Sequence, residues 1–144
     1  MLTEEQKKAF RAWIKACGDN SRNKGFRRAP SDPDARVDYV LSKLMLVVGE
    51  VAEAQEDVRD PRKKLSGQYC ELGGELLDYN AQTKGVEATD GKLLKPVGFD
   101  SELADILIRV ADLADEFDVD LADAVDRKMR YNATRAFRHG GKLA

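Results

Sequence analysis

Apolar positions recur at helical spacing in four stretches of the chain. Phe10, Trp13, Ile14 and Cys17 continue one face of a predicted first helix, from about Glu4 to Cys17. A Thr3/Gln6 capping box opens it and Gly18 closes it. Residues 19–33 form a polar connection with Gly25-Phe26, two prolines and the basic cluster Arg22, Lys24, Arg27 and Arg28. Val37, Val40, Leu41, Leu44, Val47, Val48 and Val51 keep i, i+3, i+4, i+7 spacing through a second helix, Asp34 to Arg59. Asp60-Pro61 ends it, because proline disfavours a helical residue before it. A third helix starts at Asp100 or Ser101 and buries Leu103, Ile106, Leu107, Val110, Leu113, Ala114 and Phe117. After Asp118-Val119-Asp120, Asp120 caps a fourth helix reaching about Arg138, and Gly140-Gly141 stops it. So short a link predicts an antiparallel helical hairpin. Between the second and third helices, Leu65 to Asn80 holds at most one short helix, weakened by Gly73-Gly74, and Thr83 to Phe99 reads as a loop. No strand signal stands out. The expected class is all-α: an antiparallel bundle of four main helices.

The length of 144 residues suits one domain, 1–144, with a long loop or insertion at about 60–98. A formal charge of −2 offers no overall attraction to nucleic acid or to an anionic membrane. The charge is uneven: Asp100 to Asp126 is acidic, while Arg127, Lys128, Arg130, Arg135, Arg138 and Lys142 make the following segment basic. Two cysteines without metal-ligand spacing fit reduced thiols better than a disulfide framework. The N-terminal residues lack signal-peptide character, and the longest apolar run, Leu44 to Val48, is far short of the ~20 residues of a membrane span. A cytoplasmic protein is expected.

Two acidic words carry the chemistry. Glu50-Val-Ala-Glu53 and Glu102-Leu-Ala-Asp105 each set two carboxylates one helical turn apart, on one side of a helix. Four such groups brought together repel unless a cation lies between them, and all-oxygen ligands suit Mg²⁺ or Mn²⁺ partnered with a phosphate. Leu46, Glu50, Glu53 and Asp57 share a stripe away from the main apolar one, which suggests a helix packed on two sides. On the third helix the simpler alternative is a solvated face, with Glu102 or Asp105 paired to Arg109. Glu75-Leu-Leu-Asp78 repeats the spacing on a doubtful helix and ranks second. A lone histidine, His139, excludes Glu-x-x-His di-iron and Cys/His zinc sites, and no Gly-rich phosphate loop occurs.

At the basic end, Leu121, Ala124, Val125 and Met129 mark a buried side that Lys128 and Asn132 continue with polar groups. A bound phosphate or neighbouring acids would partner them. Arg135 extends the line, although bases near a helix C-terminus also match its dipole. His139-Gly-Gly-Lys142 reads either as a phosphate wrap or as a helix cap and loose tail.

In order, these words resemble the MazG-like all-α nucleotide pyrophosphohydrolases. The family's Glu-x-x-Glu and Glu-x-x-Asp fall on Glu50, Glu53, Glu102 and Asp105; Lys24-Gly-Phe26, Asp120-Leu121, Lys128-Met-Arg-Tyr-Asn132-Ala-Thr-Arg135 and His139-Gly-Gly-Lys142 are similar too. Gly49 departs from the extra Glu common there, and the segment 60–98 is longer than the usual connection. The resemblance implies Mg²⁺-dependent hydrolysis of a nucleoside triphosphate (a dNTP or non-standard NTP) to monophosphate and pyrophosphate. It makes Glu50, Glu53, Glu102 and Asp105 the metal ligands, Glu53 and Asp105 catalytic, and Lys128, Asn132, Arg135 and Lys142 the triphosphate ligands. Trp13 and Phe26 would wall the base, and a homodimer or homotetramer would complete the bundle. The rival readings are a non-catalytic helical module pairing charged faces with a partner chain, and a small nucleic-acid-binding regulator, which the net negative charge disfavours.

Overall fold

The computed structural model describes residues 1–79 and 93–135. Among these the chain is mostly helical: α1 spans Glu4–Asn23, α2 Pro33–Arg59, α3 Phe99–Glu116 and α4 Leu121–Ala133. Three short strands, β1 (Tyr69–Leu72), β2 (Glu75–Asp78) and β3 (Lys95–Val97), lie between α2 and α3. The residues group into two compact units: 1–28 with 111–144, and 29–110. Helix α3 contributes residues 111–116 to the first and 99–110 to the second.

In the first unit, Thr3 accepts from the Gln6 N–H and completes the predicted capping box. Helix α1 nevertheless runs past Gly18, where the sequence suggests a stop. Gly18 is buried against Arg27 and Asp115, and a Cβ there would collide with both side chains. The glycine thus serves packing rather than termination. Ile14, Ala111 and Ala114 form the core, with Phe10, Cys17 and Leu121 around it. Asp118, at φ 53, takes the left-handed conformation, and the Val119 N–H returns to the Ala114 carbonyl to end α3. Asp120 caps α4 through the Asp123 N–H, as expected. Helix α4 stops at Ala133, short of the expected Arg138, which lies outside the described residues.

Burial on two helices departs from the expected pattern. On α4 the buried residues are Ala122 and Asp126, whereas Met129 is 40% exposed and Lys128 and Asn132 are exposed rather than inward. Asp126 is buried because it has partners: the Leu2 N–H at 2.7 Å and Arg130 Nε at 2.7 Å. On α3 the buried positions are Ala111, Asp112 and Ala114, while Leu103 and Leu107 are exposed.

In the second unit, Asp32 caps α2 and Pro33 occupies its first turn. The sheet corrects the expectation of no strands. Its order is β2-β1-β3, all antiparallel, with Cys70 opposite both Leu77 and Pro96. Gly73 (φ 61) and Gly74 (φ 86) make the two-residue β1–β2 turn, in which positive φ matches the twist of paired strands. The Gly-Gly pair that weakens a predicted helix is therefore the turn of a hairpin. Proline 96 is tolerated because β3 is an edge strand. Cys70 and Leu94 are buried. The apolar stripe of α2 is largely uncovered in the single chain: Val37, Leu41, Leu44 and Val48 are all between 45% and 58% exposed. Among the described residues, no helix is long and apolar enough to cross a membrane.

Candidate metal centre

Within the second unit, α2 and the first half of α3 bring acids together. One oxygen from each of Glu50, Glu102 and Asp105 lies within 4.8 Å of the others. Glu50 is only 7% exposed, Glu102 is half-buried and Asp105 is exposed. Arg109 donates to Glu50 Oε1 from Nε at 2.6 Å, and its Nη2 lies 2.5 Å from the same oxygen as an ion pair. The expected i+4 or i+7 pairing of Arg109 with Asp105 or Glu102 is thus replaced by one across to α2. That exchange matters, because it leaves Glu102 and Asp105 without a basic partner among the described residues.

Glu102 registers the crowding. Burial, and then the like charges of Glu53, Asp57, Glu50 and Asp105, push its carboxyl up to about 7. Like charges ~4 Å apart repel by on the order of 4 kcal/mol at an effective dielectric of about 20. A cation among these oxygens removes that penalty.

Glu53 stands beside the triad rather than in it. It is exposed, yet it exerts the strongest like-charge influence on Glu102. Asp57, one turn further along α2, is an additional acid of this cluster that the sequence placed on the stripe but not in the site. Its Oδ1 accepts from Lys63 Nζ, while its buried Oδ2 has no hydrogen-bond partner. A buried carboxylate oxygen left so costs about 1–3 kcal/mol or more. Glu75 and Asp78 fall on β2, where residues three apart point to opposite faces, so their one-turn spacing builds no site.

The donor set fits a hard divalent cation. Oxygens gathered within 4.8 Å are spaced like ligands around an ion with bonds of about 2.0–2.6 Å. Glu50, Glu102 and Asp105 would hold it, with Glu53 alongside. Neither cysteine belongs to the cluster: Cys70 is buried on β1 and Cys17 lies on α1.

The remaining predicted site residues belong to the first unit or fall outside the described residues. Lys128, Asn132 and Arg135 are exposed on and just after α4. The Lys128 ammonium lies 5.3 Å and the Arg135 guanidinium 6.0 Å from the centre of the Tyr131 ring. Trp13 is 38% exposed and stacks on Phe10 with centroids 5.8 Å apart, and Phe26 is 68% exposed. Lys142 and His139 lie outside the described residues. Comparison with protein-family models, curated proteins and solved structures gives no match.

Proposed function

We propose that the chain is a MazG-like nucleotide pyrophosphohydrolase that converts a nucleoside triphosphate to its monophosphate and pyrophosphate with Mg²⁺, or Mn²⁺ in its place. One observation carries the reading: two helices distant in sequence converge Glu50, Glu102 and Asp105, and leave the last two without a basic partner among the described residues. Mg²⁺ bound there supplies positive charge to phosphate oxygens and acidifies water. Glu50, Glu102 and Asp105 hold the ion, and Arg109 keeps the Glu50 carboxylate in place. Glu53, exposed beside them, accepts the proton of the attacking water. The water oxygen bonds to the α-phosphorus, the bond to the bridging oxygen breaks, and pyrophosphate departs with the electron pair.

The exposed cations Lys128 and Arg135, with Asn132, are proposed to bind triphosphate oxygens, as the resemblance implies. The uncovered apolar stripe of α2 supports a homodimer or homotetramer, since four large aliphatic side chains at helical spacing rarely remain in water without purpose. The test is product analysis by ³¹P NMR, with common and damaged (d)NTPs incubated with Mg²⁺ or with EDTA. Metal-dependent monophosphate plus pyrophosphate is expected. Orthophosphate instead would move the attack to another phosphorus. No turnover across the panel by folded protein would favour the non-catalytic interaction module.

A further inference from the structure

Among the described residues, two cations of the second unit contact the acid cluster. Lys63 Nζ donates to Asp57 Oδ1, and Arg109 Nε donates to Glu50 Oε1. We propose that Arg109 is also a phosphate ligand. Anchored by Glu50, its outward N–H groups bind a non-bridging oxygen of the triphosphate and stabilise charge that develops during cleavage. The inference rests on the nucleotide-hydrolase reading above and adds a residue to which the resemblance assigns no role.

Position comes first. Arg109 follows Asp105 by one helical turn and Glu102 by two, so the three side chains leave the same side of α3. A guanidinium placed there has carboxylates of its own helix within reach, yet it crosses to Glu50 on α2. The crossing leaves Arg109 on the same side as the acids without closing their oxygens.

The geometry of the contact points the same way. An arginine that only neutralises a carboxylate does so best with two parallel bonds, one to each oxygen. Here Nε at 2.6 Å and Nη2 at 2.5 Å both meet Oε1. Among the described residues, Nη1 has no acceptor. The Arg109 side chain is 40% exposed, against 16% for that of Lys63. The arginine therefore presents free donors to an incoming solute, while the lysine is largely enclosed.

Charge gives those donors a task. A triphosphate brings more negative charge to Glu50, Glu102 and Asp105 than one divalent ion offsets, so a further cation beside them is needed. Lys128 and Arg135 belong to the first unit. Within the second, Arg109 is the exposed cation already in contact with one of these acids. A planar fork fixed at one edge by Glu50 also loses little freedom when its other edge binds an oxyanion.

The test uses the intact protein, its Arg109→Gln and Arg109→Lys variants, and two probes besides turnover. Mn²⁺ alone is followed by electron paramagnetic resonance, and inorganic tripolyphosphate with Mn²⁺ by calorimetry. Arg109→Gln should weaken tripolyphosphate about tenfold or more and lower kcat about 100-fold. It should bind Mn²⁺ at least as tightly as the wild type, because a positive charge beside Glu50 has gone. Arg109→Lys, which keeps the charge but not the fork, should fall between wild type and Arg109→Gln in tripolyphosphate affinity, with Mn²⁺ binding unchanged. Wild-type tripolyphosphate affinity in either folded variant would overturn the proposal while leaving the metal-centre reading intact. Parallel loss of Mn²⁺ and tripolyphosphate would overturn it too, and reduce Arg109 to a support for Glu50. Absence of Mn²⁺ and tripolyphosphate binding by the wild type would overturn both readings.

Discussion

The two ends of α3 carry similar acids with opposite fates. Near its C-terminus, Asp112 and Asp115 face Arg27, whose Nε donates to Asp112 at 2.9 Å and whose Nη2 donates to Asp115 at 2.8 Å. The three side chains are 10–20% exposed and complete one another. Near its N-terminus, Glu102 and Asp105 meet Glu50 instead, and the local arginine, Arg109, is used by Glu50. A closed ion network stabilises a fold and has nothing left to bind. An open one depends on a charge from elsewhere. The contrast separates structural acids from functional ones more sharply than acidity or burial alone, since Asp112 is as buried as Glu50.

The largest expected effect lies at the open end. Asp105→Asn should abolish turnover in a product assay while circular dichroism shows unchanged helicity; full activity would remove Asp105 from the site. At the closed end, Arg27→Met should remove the guanidinium shared by Asp112 and Asp115, leaving Asp115 the longer contact from Arg22 at 3.4 Å, and cost about 3–5 kcal/mol in urea unfolding. A loss below about 1 kcal/mol would make this network no different from a surface pair.

Titration should give Glu102 of the open cluster and the partnered Asp126 of α4 opposite signs. Glu102 is raised above its ordinary 4.5 to about 7, so the folded protein holds an extra proton. Its contribution to stability is full below about 4.5 and is lost as pH rises through about 7. In EDTA, therefore, Tm should fall over that window, and Glu102→Gln or added Mg²⁺ should flatten the fall. Asp126, in the first unit, is held below the ordinary carboxylate range by Arg130 and the Leu2 N–H. Its contribution is present at neutral pH and disappears as pH drops. A metal-free protein whose Tm is flat from pH 4.5 to 7 would mean that the open cluster is relieved by solvent alone.

The smallest effect belongs to the exposed basic face. Lys128→Ala should raise KM or lower kcat several-fold, with Mg²⁺ affinity unchanged. Wild-type kinetics would reduce Lys128 to its contact with the Tyr131 ring.

Much of the helical framework was legible in the sequence because its signals are local. The Thr3/Gln6 box, the Asp120 cap and the one-turn acid pairs each involve residues within four positions of one another. What was missed depends on distant partners. Gly18 looked like a stop because Asp115 and Arg27, which need its missing Cβ, are remote in sequence. Gly73-Gly74 resembles a helix break in the sequence because Leu76 and Leu77 fit either period over so short a span. The pairing of Asp112 with Arg27 joins residues 85 apart in the chain and has no local signal. Of the site, the sequence indicated Glu50, Glu102 and Asp105. The transfer of Arg109 to Glu50 left no mark in it, since it depends on how α2 meets α3 within the unit, and neither did the unpartnered Asp57 oxygen.

The most direct test is Mn²⁺ binding, followed by electron paramagnetic resonance or calorimetry, in the wild type, Asp105→Asn and Asp115→Asn. An open cluster at one end of α3 predicts a defined Mn²⁺ site in the wild type, its loss in Asp105→Asn and its retention in Asp115→Asn. Equal, weak binding by all three proteins would contradict it and return Glu50, Glu102 and Asp105 to an ordinary acidic surface.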